Sequence, residues 1–197
     1  MQKQRPRMVW FLTVGITVAL LVAVIGYAVF NATKPQPGTK TPDDGREHFN
    51  TLGYGHVPIS QTKLKPYSTD PPTSGPHWDV WVQKGIYDTP QSDEMLVHSL
   101  EHGYIVIDMS CTQQACPDLY NQLKSLVLSY DKKVILNYRP QTKTPVAVAA
   151  WTRLLTFAES ELAKNSVGGL VLTQEQQAAI MKFVDAYRDK GPEAGAL

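Results

Sequence analysis

The stretch SDEMLVHSLEHGYIVIDM, residues 92–109, passes directly from a helical pattern to a strand pattern and decides the fold class. Its opening serine and aspartate can cap a short helix with its body at residues 94–102. Gly103 then stands where helices commonly stop, because glycine readily adopts the left-handed backbone of a C-terminal cap. Residues 104–109 are rich in β-branched side chains, which predicts a buried strand. A short helix leading straight into a buried strand indicates an α/β or α+β domain.

The rest of the C-terminal half alternates between strand and helix patterns. A helix should open at Pro117, since proline is favoured at the first helical position, and continue to Tyr130. The further predicted elements are two strands, residues 133–138 and 146–151, and two helices, residues 152–162 and 173–188. This alternation predicts a small sheet of three to four strands with flanking helices, and it leaves strand order and direction open.

A long region rich in Pro, Gly, Tyr and Trp precedes the α/β part. Residues 46–89 show no sustained period of 2 or 3.6, so we expect an ordered loop region there. Its string PPTSGPHW, residues 71–78, contains prolines that stiffen a turn and aim His77. Ser74 lies in the same string, but without a G-x-S-x-G elbow it is a poor candidate for a nucleophile.

The N-terminus carries an uncharged apolar run of 22 residues, VWFLTVGITVALLVAVIGYAVF at residues 9–30. A helix of that length spans a hydrocarbon core of about 30 Å, which predicts one transmembrane helix in the lipid membrane. Lys3, Arg5 and Arg7 precede it, so the positive-inside rule places the N-terminus in the cytoplasm and the rest outside. A cleaved signal peptide is the alternative. The run exceeds the usual apolar region of roughly 7–15 residues, and no A-x-A site follows, so we favour a single-pass anchor in the cell membrane.

These features divide the chain into four parts. Residues 1–8 form a cytoplasmic N-terminus, 9–30 the transmembrane helix, 31–45 a Pro/Gly/Thr-rich linker, and 46–197 an extracytoplasmic domain of ordinary size. Without the three N-terminal cations the chain keeps 16 cations against 18 anions. No basic stripe with interleaved aromatic residues is present in the sequence, which argues against nucleic acid as a partner.

Cys111 and Cys116 are the only two cysteines of the chain. In an oxidising compartment, two thiols this close most simply form a disulfide that closes a small loop. A thiolate metal pair is the alternative, because the spacing also fits the C-x₂₋₄-C range of zinc sites, although no second pair completes such a site. The spacing is not C-x-x-C, which argues against a thioredoxin-type redox role.

All five histidines fall between residues 48 and 102, and none follows. On a helix, His98 and His102 are four residues apart and point the same way, so they can bind one ion while loop histidines supply further ligands. The candidate ligands are His56, His77, His98 and His102, with His48, Met95, Glu101 and Met109 as less certain members. Imidazole ligands favour copper or zinc, and a methionine thioether would favour copper(I).

The string H-S-L-E-H also matches H-x-x-E-H, in which two histidines bind zinc and the glutamate is the general base. That pattern makes Glu101 the candidate catalytic residue of a metal-dependent hydrolase. The chain is short for such an enzyme and has no evident later helix with a further carboxylate ligand. Glu101 has a second possible role, accepting a hydrogen bond from a ligating imidazole and so fixing its tautomer.

The strings PPTSGPH at residues 71–77 and VHSLEHG at residues 97–103 resemble an uncharacterised bacterial family, domain of unknown function 3105. The resemblance continues through AAWTR at residues 149–153 and FVDAYRDKGPE at residues 183–193. It implies a membrane-anchored or exported protein with a shared histidine core, here His56, His77, His98 and His102, and a less certain His48. It implies no activity.

Three functions are compatible with these patterns. We favour a membrane-anchored extracytoplasmic domain that binds copper or zinc, in metal handling or in assembly of a membrane complex that would supply its partner. The first alternative is a metal-dependent hydrolase with Glu101 as base. The second is a non-enzymatic interaction domain whose histidines are structural.

Overall fold

The computed structural model describes residues 5–33, 47–48, 55–61 and 67–195, with side chains at 13–27, 55–61 and 67–195. The chain forms two units, Met1–Gln36 and Pro37–Leu197. Most of the predicted linker and the side chain of His48 lie outside the described residues.

The first unit contains one long helix, α1, at Arg5–Thr33. Where its side chains are described, large apolar residues are exposed along its length, and Leu20 and Val22 are 62% and 64% accessible. Within the described part of the chain, no helix meets the length and apolarity needed to cross a membrane. The transmembrane segment therefore stays a prediction.

The second unit is built on a six-stranded sheet with the order β1-β8-β7-β5-β6-β4. Its strands are β1 Glu47–His48, β4 Gly85–Tyr87, β5 Ile105–Met109, β6 Val134–Tyr138, β7 Val146–Ala150 and β8 Arg153–Phe157. Two small sheets accompany it, formed by β2 His56–Val57 with β3 His77–Trp78 and by β9 Ala163–Lys164 with β10 Leu170–Val171. The helices are α2 Asp93–Glu101, α3 Pro117–Leu128 and α4 Gln174–Tyr187, with a 3₁₀ turn at Glu159–Glu161.

The centre of the sheet is mixed in direction. Strands β4, β6 and β5 are parallel, and β5 is joined to β6 through α3 as a βαβ crossover. Strand β7 then adds antiparallel to β5, and β8 adds antiparallel to β7. The carboxyl ends of β4, β5 and β6 consequently lie together at one end of the strands, and the turn between β7 and β8 lies at the other end.

Helices cover both faces of this sheet. Successive side chains of a strand point to opposite faces, so Ile105 and Ile107 pack with α3 and α4 while Val106 packs with α2. Every residue of β5 is buried, as expected for a strand covered on both sides. The sequence prediction of an α/β domain is confirmed at this level.

The strand Ile105–Met109 and the helix α2 that precedes it lie where the sequence placed them. Ser92 is the N-cap of α2, and its side chain accepts a hydrogen bond from the Met95 backbone N–H. Gly103 follows the helix with a φ of 78°, the left-handed conformation expected at its stop. The predicted helices at Pro117 and after Thr173 are also present.

The helix predicted over residues 152–162 was wrong. Its first half is strand β8, which pairs antiparallel with β7 from Ala150–Arg153 to Val146–Phe157. Thr152 has a φ of 58° and closes the hairpin with Trp151, so the chain reverses there instead of starting a helix. The spacing of apolar residues in this segment is compatible with a helix or a strand. The segment forms a strand because it pairs with β7. With β1, β4 and β8 the main sheet has six strands instead of three to four.

One buried carboxyl in the centre of the sheet makes stability depend on pH. Burial raises the pKa of Asp108 to about 7, although its hydrogen bond from Asn137 and the charge of Arg139 act in the opposite direction. Between about pH 4 and pH 7 the folded chain holds a proton on Asp108 that the unfolded chain has lost. The stability that this group contributes is therefore full below about pH 4 and is lost as the pH rises through 7.

We expect Asp108→Asn to remove this dependence, because the amide oxygen can still accept from Asn137 and no charge is buried. Relative to the wild-type protein, the variant should gain about 2–3 kcal/mol more in free energy of unfolding at pH 8 than at pH 5. Denaturant unfolding at the two pH values measures both differences. An equal difference at pH 5 and pH 8 would contradict the raised pKa.

Candidate metal centre

The loop histidines are brought together by a two-residue parallel sheet. Strand β2 pairs with β3 so that His56 lies directly beside His77, and their ring centroids are 4.9 Å apart. His77 is fully buried, whereas the side chain of His56 is 37% accessible. Two strands that are separated by residues 58–76 in the sequence thus present their imidazoles side by side.

The last turn of α2 faces this pair. His98 lies 4.7 Å from the His56 ring and 5.1 Å from the His77 ring, measured between centroids. Glu101, one turn later on the helix, is fully buried, and its Oε2 lies 2.9 Å from Nε2 of His77 and 3.2 Å from Nε2 of His56. Residues three apart share one face of a helix, so α2 supplies two donors to the cluster.

His56, His77, His98 and Glu101 each offer one ligand atom, and these four atoms lie within 4.8 Å of one another. We call this set the His/Glu cluster. Two ligands about 2.1 Å from one ion, at 90–110°, are separated by about 3.0–3.4 Å. The two distances to Glu101 Oε2 are close to that range, so the arrangement can hold a metal ion after small adjustments.

Backbone carbonyls orient the imidazoles. Nδ1 of His77 lies 2.7 Å from the Gly75 oxygen, and Nδ1 of His98 lies 2.7 Å from the Trp78 oxygen. A carbonyl only accepts hydrogen bonds, so each Nδ1 carries the hydrogen, and in the neutral ring Nε2 keeps its lone pair. Metal-ligating histidines are commonly fixed in this way, through a hydrogen bond from the ring nitrogen that does not bind the metal.

The lone pairs fixed in this way face other acceptors. Nε2 of His77 points at the carboxylate of Glu101, and Nε2 of His98 lies 2.8 Å from Nε2 of His102. Acceptors this close repel each other unless a proton or a metal ion lies between them. In addition, Oε1 of Glu101 is buried and has no hydrogen-bond partner among the described residues. A buried carboxylate oxygen without a partner is costly, and a bound cation would offset that cost.

Burial lowers the pKa of His98, and the nearby histidines His77, His102 and His56 lower it further, while the hydrogen bond to the Trp78 carbonyl acts in the opposite direction. The neutral form of this ring is therefore favoured at neutral pH. Since a metal binds the neutral imidazole, the environment of His98 supports ligand binding.

Solvent reaches the cluster on the side of His56. This ring is the most accessible member of the set, and its Nδ1 lies 3.9 Å from Asp79, whose side chain is 81% accessible. The Trp81 ring packs 5.3 Å from the His98 ring, measured between centroids. The cluster is therefore open to solvent at His56 and in contact with an aromatic ring at His98.

His102 ends α2 as its C-cap and lies beside the cluster without belonging to the four-atom group. Its Nδ1 donates to the Glu193 carbonyl at 3.2 Å, and its Nε2 faces His98. Of the candidate ligands, the structure brings His56, His77, His98 and Glu101 into one group, while His102 is a neighbour.

The segment after α4 supports this end of the helix, which sequence reasoning missed. The Glu193 N–H donates to the Glu101 carbonyl, and the Asp189 N–H donates to the Gly103 carbonyl. Buried Lys133 joins the two segments by donating to the carbonyls of His102 and Ala194. The string FVDAYRDKGPE carried the family resemblance, but its contacts with the end of α2 are made by its backbone N–H groups, which no residue type reveals.

The two methionines are not part of the cluster. Met109 is buried at the carboxyl end of β5 with the residues of α3, at the opposite end of the strand from His102. Met95 packs against the core on the α2 side of the sheet. His48 lies in β1 opposite Arg153, and its side chain is outside the described residues. The ligand set is therefore nitrogen and oxygen, without sulfur.

The two cysteines form the predicted disulfide. Cys111 is bonded to Cys116 across the loop between β5 and α3, and neither thiol is free. The alternative of a thiolate metal pair is thereby excluded.

The fold and the site together define an α/β domain in which three imidazoles and a carboxylate form a group that could hold a metal ion. The family described as "Protein of unknown function (DUF3105)" has a model that matches residues 59–197, so the chain belongs to that family. This confirms the resemblance seen in the sequence. No curated protein and no solved structure matches the chain.

Proposed function

We propose that the protein binds one zinc or copper ion through the His/Glu cluster. The observation that carries this proposal is the orientation of two imidazoles. Nδ1 of His77 and Nδ1 of His98 each donate to a backbone carbonyl, so both Nε2 atoms keep a lone pair. Each of these Nε2 atoms lies within hydrogen-bond distance of another acceptor. A purely structural role for these histidines would require extra protons buried between them. A metal ion held by the cluster binds the ring nitrogens of His77 and His98 and the Glu101 carboxylate without a proton between His77 and Glu101.

The donor set favours zinc or copper(II) over copper(I). Imidazole nitrogen suits zinc and copper(II), and carboxylate oxygen is an ordinary zinc ligand, whereas copper(I) prefers thiolate and thioether sulfur. Met95 and Met109 pack into the hydrophobic core, and both cysteines are in the disulfide. No sulfur ligand of the described chain therefore belongs to the cluster.

Metal binding is better supported than metal-dependent hydrolysis. A hydrolytic zinc site keeps a coordination position open for water, and its general base lies beyond the ligands. Glu101 instead lies inside the donor group, fully buried, with its Oε2 shared between His56 and His77. Four protein donors complete a tetrahedral shell, which is typical of a site that holds its ion.

We propose further that residues 9–30 anchor the domain in the cell membrane, with the N-terminus in the cytoplasm. The support is the uncharged run of 22 residues, the three cations before it, and the exposed apolar side chains of α1 at residues 14–27. A helix that is apolar on all sides is typical of a core or a membrane. In a domain outside the cytoplasm, a metal cluster that is open to solvent at His56 suits the uptake or delivery of a metal, or the assembly of a membrane complex.

One experiment tests both proposals. Membranes from cells that express the full-length chain should retain it after washing with high salt, and the protein extracted with detergent should contain about one zinc or copper ion per chain. Glu101→Gln should reduce this content strongly, because an amide is a weak metal ligand and the negative charge is lost. The matched control is Glu94→Gln, two turns earlier on the same helix.

Equal metal content in the Glu101→Gln and Glu94→Gln proteins would contradict the ligand role of Glu101. A wild-type chain without zinc or copper after extraction would contradict the metal proposal, and recovery in the high-salt wash would contradict the anchor.

A further inference from the structure

A second site lies at the other end of the sheet from the His/Glu cluster. A cavity of about 180 Å³ opens at the carboxyl ends of the parallel strands β4, β5 and β6, and Cys111 of the disulfide forms part of its wall. In α/β proteins this edge of the sheet is the usual place for ligands. Strand β5, about 16 Å long, separates the cavity from the cluster, so the two sites are independent.

The two sulfurs occupy different environments. Cys111 is half-buried and lines the cavity, whereas Cys116 is only 9% accessible and is the N-cap residue of α3. The first backbone N–H groups of a helix and its dipole stabilise a negative charge, and they lower the pKa of cysteines placed there. A thiolate leaving from Cys116 is consequently stabilised, which makes attack on Cys111 the favoured direction.

The cavity suits a cysteine side chain in a peptide better than an organic cofactor. Its volume is below the roughly 300–1,000 Å³ of sites for drug-sized ligands. Tyr87, Tyr120 and Tyr138 supply aromatic surface, Asp88 places a carboxylate in the wall, and Gln113 and Gln114 are exposed at the mouth. Because Cys111 lines the cavity, an attacking thiolate can reach its sulfur, and such access is one of the conditions of thiol–disulfide exchange.

We propose that the Cys111–Cys116 disulfide is a redox centre that oxidises a pair of cysteine thiols in a protein segment. One substrate thiol loses its proton and attacks Sγ of Cys111. The Cys111–Cys116 bond breaks, a mixed disulfide forms, and Cys116 leaves as a thiolate that takes up a proton. The second substrate thiolate then attacks the substrate sulfur of the mixed disulfide, and Cys111 leaves and is protonated. Two electrons and two protons pass from the substrate dithiol to the protein.

The spacing of the cysteines argued against this role at the level of sequence, because four residues separate them instead of two. Tertiary structure provides the missing elements: the pair follows a central parallel strand, one cysteine caps a helix, and the other lines a cavity. These features, and not the spacing itself, set the reactivity of a disulfide.

The test is the reaction of the oxidised full-length protein with a reduced synthetic peptide that contains two cysteines, followed by mass spectrometry. We expect one peptide disulfide per protein disulfide consumed. The rate should be at least about 10-fold higher than for the oxidised peptide SCTQQACP, residues 110–117, which has the same loop without the fold. A rate equal to or below that of the control peptide would overturn the proposal.

Two variants test the direction of attack. With a cysteine peptide activated as its thionitrobenzoate disulfide, Cys116→Ser should form a mixed disulfide through Cys111, and Cys111→Ser should react at least about 10-fold more slowly because Cys116 is buried. Equal rates would overturn the assignment of Cys111. The wild-type rate comparison stands even where a variant fails to fold.

Discussion

Replacing His77 and His98 together by glutamine is expected to weaken zinc or copper binding by far more than about 100-fold. Loss of a residue that only orients a ligand typically weakens metal binding by about 10–100-fold, and the double variant loses two ligands. Both side chains are buried, Nε2 of His77 faces the Glu101 carboxylate, and His98 is a member of the four-atom group. Glutamine does not replace the Nδ1–H that the Gly75 and Trp78 carbonyls accept, and the His102→Gln control loses the same kind of hydrogen bond, so the difference between the variants should reflect the missing imidazole ligands. Competition with a chromophoric chelator measures the affinity.

The matched control for this double variant is His102→Gln. His102 is on the same helix and contacts His98, but it lies outside the four-atom group. We expect its substitution to weaken binding within about the 10–100-fold range of an orienting residue. A loss of metal affinity in His102→Gln as large as in the double variant would indicate that His102 is itself a ligand. Unchanged affinity in the folded double variant would remove the metal site altogether.

The second large effect is expected from Gly191→Ala, which should unfold the domain more easily. A Cβ at this position would lie 2.1 Å from the Glu101 carbonyl oxygen and 2.6 Å from that of Leu100. Both atoms are backbone at the end of α2, so neither can rotate away. The segment that carries Glu193 must move instead, and it loses its hydrogen bonds to Glu101 and His102.

We expect Gly191→Ala to lose about 3 kcal/mol in free energy of unfolding, which corresponds to about 6–12 °C in melting temperature for a domain of this size. Gly195→Ala is the control, because a Cβ there meets no atom within 4 Å. Thermal unfolding followed by circular dichroism compares the two. Equal melting temperatures of the Gly191→Ala and Gly195→Ala proteins would show that the chain accommodates a Cβ beside the Glu101 carbonyl without a loss in free energy of unfolding.

Local patterns predicted the elements whose boundaries are marked by local chemistry. The helix α2 begins at a capping serine and ends before Gly103, α3 begins at Pro117, and β5 is a run of β-branched residues, so each could be located from sequence. The failure at residues 153–157 has the same origin, since their spacing suits a helix or a strand and only pairing with β7 decides between them.

The composition of the site was determined by the sequence, and its geometry was decided by the tertiary structure. Clustered histidines and H-S-L-E-H identified the residues, because a ligand atom belongs to a residue type. The pairing of His56 with His77, the carbonyls that fix the ring tautomers, and the contact of Gly191 with α2 join distant segments through backbone atoms. Backbone groups are the same in almost every residue, so only the folded chain determines which of them meet.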